Sequence, residues 1–291
     1  MKIQHFFDDQ TFSLSYIVWD EETHRAIVID PVLDYDQASS TISKNSIKEI
    51  ILFLKENKLT VHYTLETHAH ADHLSSAQEI KQAFSEAVLG IGQHITKVQE
   101  TFKDIFNLDK NFPTDGGQFD KLFEDNETFS LDSLNIRVIP TPGHTPACCS
   151  YLINNAVFTG DTLFMPDYGT GRCDFPQGSS ADLYDSITKN LYTLDDTVKV
   201  YTAHDYMPNG RELKFQSTIG EQKRTNIQLN GKTKKEEFLE FRNKRDSGLK
   251  APKLLLPSIQ VNINGGHLPR PENNQISYFK IPLKVQEVNN E

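Results

Sequence analysis

The segment Thr67-His68-Ala69-His70-Ala71-Asp72-His73 sets four metal-ligating side chains within six positions. It closes a run, residues 59–68 (LTVHYTLETH), that reads as a β-strand. Three imidazoles and a carboxylate this close in sequence converge when the backbone wraps around a cation, and such donors suit zinc, iron or manganese rather than calcium. The competing reading is a chance histidine-rich surface loop. Three downstream features weigh against it. Thr141-Pro142-Gly143-His144-Thr145-Pro146 is a rigid turn presenting one histidine, Thr159-Gly160-Asp161-Thr162 places a carboxylate after an apolar run, and Ala203-His204-Asp205-Tyr206 again follows a strand-like stretch. Each alone reads equally well as a turn former or a surface polar residue. Together they put seven nitrogen and oxygen ligand candidates at the ends of four predicted strands, the pattern of a metal centre on loops held by a rigid scaffold.

Working outward, residues 12–19 (FSLSYIVW) and 26–30 (AIVID) read as short strands separated by a polar turn. Ile47, Ile50, Ile51 and Leu54 fall on one face of a helix, with Ser46 and Glu49 spaced as a capping box. Ser76 and Glu79 repeat that spacing before a second helix whose Ile80, Ala83, Phe84 and Ala87 share a face. Further strands are expected over 136–140, 150–153, 156–159 and 198–202, with a helix carrying Leu183, Ile187 and Leu191 before the last of them. Two successive β-rich halves, each followed by helices, predict an α/β protein of two packed sheets with helices outside. No residue-level repeat underlies that division. Beyond Met207 charge and amide side chains increase, and a helix is expected near 234–245. The chain therefore divides into a core, 1–206, and a C-terminal extension, 207–291, packed on it.

The chain has 291 residues, 37% of them hydrophobic and 24% charged, enough apolar material for a sizeable core. Forty acidic against 30 basic side chains give a net charge of −10, which argues against binding nucleic acid through its phosphates. Three cysteines, Cys148, Cys149 and Cys173, are too few and odd in number for a disulfide framework. No apolar run approaches membrane-spanning length, and the acids Asp8 and Asp9 near the start do not fit a secretion signal. The expectation is a reduced, cytoplasmic enzyme with no membrane or nucleic-acid partner.

The ordered set His68/His70/Asp72/His73, His144, Asp161 and His204 resembles the metallo-β-lactamase superfamily over residues 3–206, and that resemblance implies an αββα sandwich. Asp161 looks like glyoxalase II and its relatives. The β-lactamases themselves typically carry cysteine there, so antibiotic hydrolysis is not expected. Gly169-Thr170-Gly171-Arg172-Cys173-Asp174-Phe175, together with His204-Asp205-Tyr206, is similar to the persulfide dioxygenases. Residues 220–226 (GEQKRTN) resemble their post-catalytic helix, and 256–266 (LPSIQVNINGG) resemble the ending of bacterial members rather than the glutathione-binding domain of glyoxalase II.

This resemblance implies one Fe(II) per chain held by His68, His144 and Asp161, with His70, Asp72, His73 and His204 orienting the site. The substrates would be glutathione persulfide and O2, and the products sulfite and glutathione. Arg172 is expected either to pair with a glutathione carboxylate or to form a salt bridge with Asp174. Tyr206 is expected either to donate a hydrogen bond to bound oxygen or sulfur or to be an ordinary buried tyrosine. Cys173 is the one cysteine placed to meet substrate sulfur. The resemblance also implies a homo-oligomer, although nothing in the sequence marks the contacting patch. The alternative is a glyoxalase II-type hydrolase of acylglutathione thioesters with two Zn, or mixed Fe, Zn and Mn. There His68, His70 and His144 would bind one metal, Asp72, His73 and His204 the other, and Asp161 would bridge. Every ligand that this dinuclear site needs is present, so ligand identity does not choose between the two. A noncatalytic member of the superfamily would be marked by loss of a ligand, and none is lost. His5, His24, His62, His94 and His267 read as surface or packed histidines, and Cys148 and Cys149 as small buried hydrophobes.

Overall fold

A computed structural model describes residues 1–283. Two six-stranded sheets form, each with its strands side by side in chain order. The first contains β1 (Lys2–Asp8), β2 (Ser13–Trp19), β3 (Arg25–Ile29), β4 (Thr60–Glu66), β5 (Val88–Gly92) and β6 (Lys121–Phe123). Its first two pairings are antiparallel and the remaining three parallel. Parallel neighbours need a long crossover. Helices α1 (Asn45–Glu56), α2 (Ala77–Ala83) and α3 (Ile95–Ile105) supply the three.

The second sheet contains β7 (Thr128–Leu131), β8 (Leu134–Pro140), β9 (Cys149–Ile153), β10 (Ala156–Phe158), β11 (Lys199–Tyr201) and β12 (Gln216–Thr218). Its one parallel pair, β10 with β11, is bridged by α4 (Ser180–Asp185), which runs on as a π-helical turn over Ser186–Leu191. Both sheets are covered on both faces, so their strands carry apolar residues at consecutive positions. Leu14, Tyr16 and Val18 point between the sheets toward Ile136, Val138, Tyr151 and Phe158. Ile17, Ala26 and Val28 point outward onto Ile47, Ile50 and Leu54 of α1. On the far side Val157 and Val200 meet Leu183, Ile187 and Leu191. The fold is the αββα sandwich of the metallo-β-lactamase type.

Three helices follow: α5 (Ile219–Thr225), α6 (Lys235–Asp246) and α7 (Leu255–Asn262). Ile219 and Phe238 join the outer core of the second sheet. Ile259 of α7 and the following Ile263 instead pack with Ile91, Val98 and Phe102 beside the first. β12, which completes the second sheet, also comes from beyond residue 206. Among the described residues no helix is long and apolar enough to cross a membrane.

Two local expectations are corrected. Ser46 does not cap α1, which starts one residue earlier; its hydroxyl donates to Asp34 Oδ1 at 2.6 Å instead. Ser76 occupies the N-cap of α2 without a side-chain capping bond, and Phe84 and Ala87 lie past the end of that helix. β1 has no clear signal in the sequence because it is a partly exposed edge strand, ordered by its pairing with β2.

Candidate metal centre

The loops following β4, β8, β10 and β11 meet at one end of the sandwich and bring the predicted ligands together. One ligand atom each from His68, His144 and Asp161 lies within 4.8 Å of the others. The ring orientations are set from behind. His144 Nδ1 lies 2.7 Å from the Arg172 carbonyl oxygen, His68 Nδ1 3.0 Å from Thr67 Oγ1, and His204 Nδ1 3.1 Å from the Phe12 carbonyl oxygen. A bond to Nδ1 leaves Nε2 as the free ligand atom, the arrangement by which metal-binding histidines are aimed. His68 Nε2 and His73 Nε2 are buried without hydrogen-bond partners. Each such atom costs about 1–3 kcal/mol, which a bound cation offsets. The donor set therefore fits a metal ion.

His70, Asp72 and His73 form a second group with the same closeness. His204 Nε2 lies between the two groups, 3.2 Å from Asp161 Oδ1 and 3.4 Å from Asp72 Oδ2. His70 borders both groups, its ring centroid 4.1 Å from that of His68 and 4.2 Å from that of His73. Behind His70 stands a buried pair of carboxylates missed in the sequence. His70 Nε2 lies 3.0 Å from Asp30 Oδ1 and 3.5 Å from Glu66 Oε2. Asp30 also accepts from the Thr67 backbone N–H at 2.7 Å and its hydroxyl at 2.8 Å. Asp30 follows an apolar strand, the same signal that singled out Asp161, and Glu66 ends the strand before the histidine cluster.

Burial, and then the neighbouring His70, hold the His68 imidazole well below its ordinary range, so it stays neutral and able to ligate. Burial opposes charge on His204 too, but Asp161 and Asp72 outweigh it and push that group up to about 9. Burial would raise the Asp161 carboxyl, yet His204 and His144 hold it below the usual carboxylate range. A neutral His68 imidazole and an anionic Asp161 carboxylate thus face one point, beside a His204 that its two carboxylates hold protonated without metal.

The Gly169–Phe175 segment supports this centre chiefly through its backbone. A Cβ on Gly171 would sit 1.8 Å from the Asp161 carbonyl oxygen, so only glycine permits that approach. The next residue then offers its carbonyl to His144. The Arg172 guanidinium is committed elsewhere: Nε and Nη2 donate to Asp174 at 2.6 and 2.5 Å, and Nη1 to the Lys250 carbonyl at 2.9 Å. Of the two roles open to Arg172 in the sequence, the structure shows the salt bridge. Cys173 is also corrected. It packs into the outer core with Leu183 and Ile187, and burial pushes its thiol up to about 12. Cys148 and Cys149 are likewise buried, with thiols pushed up by burial.

A cavity of about 280 Å³ opens on the centre, lined by Asp72, His144, Asp161, Arg172, Tyr206 and Lys253 among others. Tyr206 stacks on Tyr168 with ring centroids 4.6 Å apart. Tyr206 is 37% exposed, so it is not an ordinary buried tyrosine; partial loss of hydration, then the charges of Asp161 and Asp72, push its phenol above the ordinary range. Lys253, not anticipated from sequence, is exposed at the cavity wall and forms no ion pair among the described residues.

A two-layered β core with His and Asp side chains gathered at its strand ends defines a metal-dependent enzyme class. The chain belongs to the metallo-β-lactamase superfamily, whose family model matches residues 8–204. It is 50% identical over 283 residues to Glyoxylase B2 of Dictyostelium discoideum, covering 97% of each chain. It is 27% identical over 206 residues to the mitochondrial persulfide dioxygenase ETHE1 of Homo sapiens, covering 70% of this chain and 68% of that one. Among solved structures it is similar to ETHE1 from Myxococcus xanthus, with a TM-score of 0.73 and 28% identity, covering 92% of this chain and all of that one.

Proposed function

We propose that the chain is a mononuclear non-haem Fe(II) dioxygenase that oxidises glutathione persulfide. The observation that carries this reading is the His68, His144 and Asp161 group, two imidazoles and one carboxylate with both rings aimed through Nδ1. Two histidines and one carboxylate on one face of an iron leave other positions open for substrates. The balanced reaction is GSSH + O2 + H2O → GSH + SO3²⁻ + 2H⁺. Fe(II) held there supplies a common binding point for the terminal persulfide sulfur and dioxygen. The protein's part is to hold both reactants together so that their encounter is effectively intramolecular. Tyr206, kept protonated, donates a hydrogen bond into the cavity. Lys253 offers a cation to a substrate carboxylate, the role that Arg172 does not fill. The likeness to the Myxococcus ETHE1 structure supports the same reading. Residues 1–206 form the catalytic core in this account, and the described residues beyond 206 an extension that reaches the cavity through Lys253. Three buried free thiols suit a reducing compartment such as the cytoplasm.

One observation favours a second reading. The group of His70, Asp72 and His73, with His204 reaching toward both Asp72 and Asp161, offers a second metal position. The Dictyostelium relative named Glyoxylase B2 points the same way. Two metals there would supply a hydroxide for attack on an acylglutathione thioester. His204→Ala separates the readings. The dioxygenase retains about one iron per chain, whereas the hydrolase loses one of two metals and its thioester cleavage. Complete loss of iron from that variant contradicts the assignment of the primary ligands. His68→Ala or Asp161→Ala removes metal and activity in either case.

A further inference from the structure

The segment that carries His70, Asp72 and His73 is gripped by a side chain nearly 190 residues away, Asn262, at the end of α7. Its Nδ2 donates to the carbonyl oxygens of both His70 and His73 at 2.8 Å each. Its Oδ1 accepts from the Ser75 backbone N–H at 2.8 Å. A primary amide has two N–H donors and one carbonyl acceptor, and here all are engaged with one short stretch of backbone. The side chain is 5% exposed, so water does not replace these bonds. Adjacent residues tie the same end of the chain down: Gln78 donates to the Gly265 carbonyl at 2.6 Å and Gln99 to the Ile263 carbonyl at 2.9 Å.

We infer that Asn262 is a positioning residue for the metal site, by which the C-terminal helix fixes the curvature of the ligand-bearing loop. The inference rests on this loop lining a metal centre: its side chains are ligands in the two-metal reading and orient the site in the one-metal reading. Bridging the carbonyls of His70 and His73 fixes where the intervening Asp72 leaves the backbone, and the Ser75 bond fixes the exit of the turn. Groups that orient ligands in this way, when removed, typically cost 10–100-fold in metal affinity.

Coupling must also run in reverse, since energetic linkage between two sites is reciprocal. Metal binding at the loop should therefore slow opening of α7.

The test uses the full chain stripped of metal and titrated with Co(II), whose visible absorption reports ligand geometry. Asn262→Ala removes all three bonds. Asn262→Asp keeps size and the acceptor for Ser75 but sets an oxygen against two carbonyls, so it should not rescue. Both variants are expected to bind Co(II) 10–100-fold more weakly with an altered spectrum, while circular dichroism shows the native fold. Gln260→Ala, on the same helix but bonded to Leu256 and Lys280 rather than to the loop, is expected to leave Co(II) affinity unchanged. Wild-type affinity and spectrum in Asn262→Asp would overturn the inference and leave Asn262 a packing residue. Failure of wild type itself to bind Co(II) would instead refute the metal site.

Amide hydrogen exchange in wild type covers the case in which the variants do not fold. Co(II) should slow exchange at Ser75 and along residues 259–263. Unchanged exchange there overturns the proposal.

Discussion

Arg242→Met tests whether the metal centre depends on the buried scaffold behind it. Arg242 is fully buried, and its guanidinium donates to Asp246 at 3.1 and 2.5 Å, to the Thr170 carbonyl at 3.1 Å and to Gln228 Oε1 at 2.9 Å. Asp246 in turn accepts from the Cys173 backbone N–H at 2.8 Å. These two residues therefore hold both sides of Arg172, whose carbonyl orients His144. Methionine fills much of the space but leaves the Asp246 carboxylate buried without its cation, a loss of about 3–5 kcal/mol. At roughly 2–4 °C per kcal/mol for a chain of this size, melting should fall by about 10 °C. Calorimetry on the metal-free protein measures it. In Arg242→Met/Asp246→Leu the orphaned charge is gone, and part of the loss should return. Metal affinity should drop about tenfold in the single variant as the His144 carbonyl partner loosens. A shift below about 2 °C, or a double variant no better than the single one, would falsify the reasoning.

The remaining predictions concern pH, substrate and packing. His204 has a folded-state pKa raised from 6.5 to about 9, so its contribution is complete below pH 6.5 and is lost as pH rises through about 9. Metal-free protein should therefore melt progressively lower over that window, and His204→Asn should flatten the trend; equal slopes in the two proteins refute the assignment. Lys253→Ala should raise KM for glutathione persulfide about tenfold with kcat little changed, the effect of losing one charge-assisted hydrogen bond worth about 1.5 kcal/mol. A substrate lacking the carboxylates should show no difference between the two enzymes. Leu183→Ala, at a fully buried position under the second sheet, should cost about 2–5 kcal/mol by denaturant titration while leaving metal content unaltered.

The metal centre was legible because its donors lie in short motifs at strand ends, where an apolar run stops and His or Asp follows. The sandwich was legible from strands such as 12–19 and helix faces such as Ile47, Ile50 and Leu54. Other features depend on approaches that sequence spacing does not encode. Asn262 meets His70 across 192 residues, and Arg242 reaches Thr170 across 72. Asp30 carried the same strand-end signal as Asp161 but stood outside the recognised motifs, and Glu66 lay in a strand too polar to mark it. Ser46 had capping spacing, yet Asp34 offered its hydroxyl a better acceptor. Arg172 lay two residues from a carboxylate, and that local pairing left it no free fork for substrate.

The central claim is persulfide oxidation at one iron, and oxygen uptake tests it most directly. Protein purified without added zinc is given glutathione persulfide in an oxygen electrode, with an acylglutathione thioester in parallel and metal content determined on the same sample. The account predicts oxygen consumption with sulfite formation, scaling with about one iron per chain. Thioester cleavage without oxygen uptake, accompanied by two metals per chain, would contradict it and establish the hydrolase.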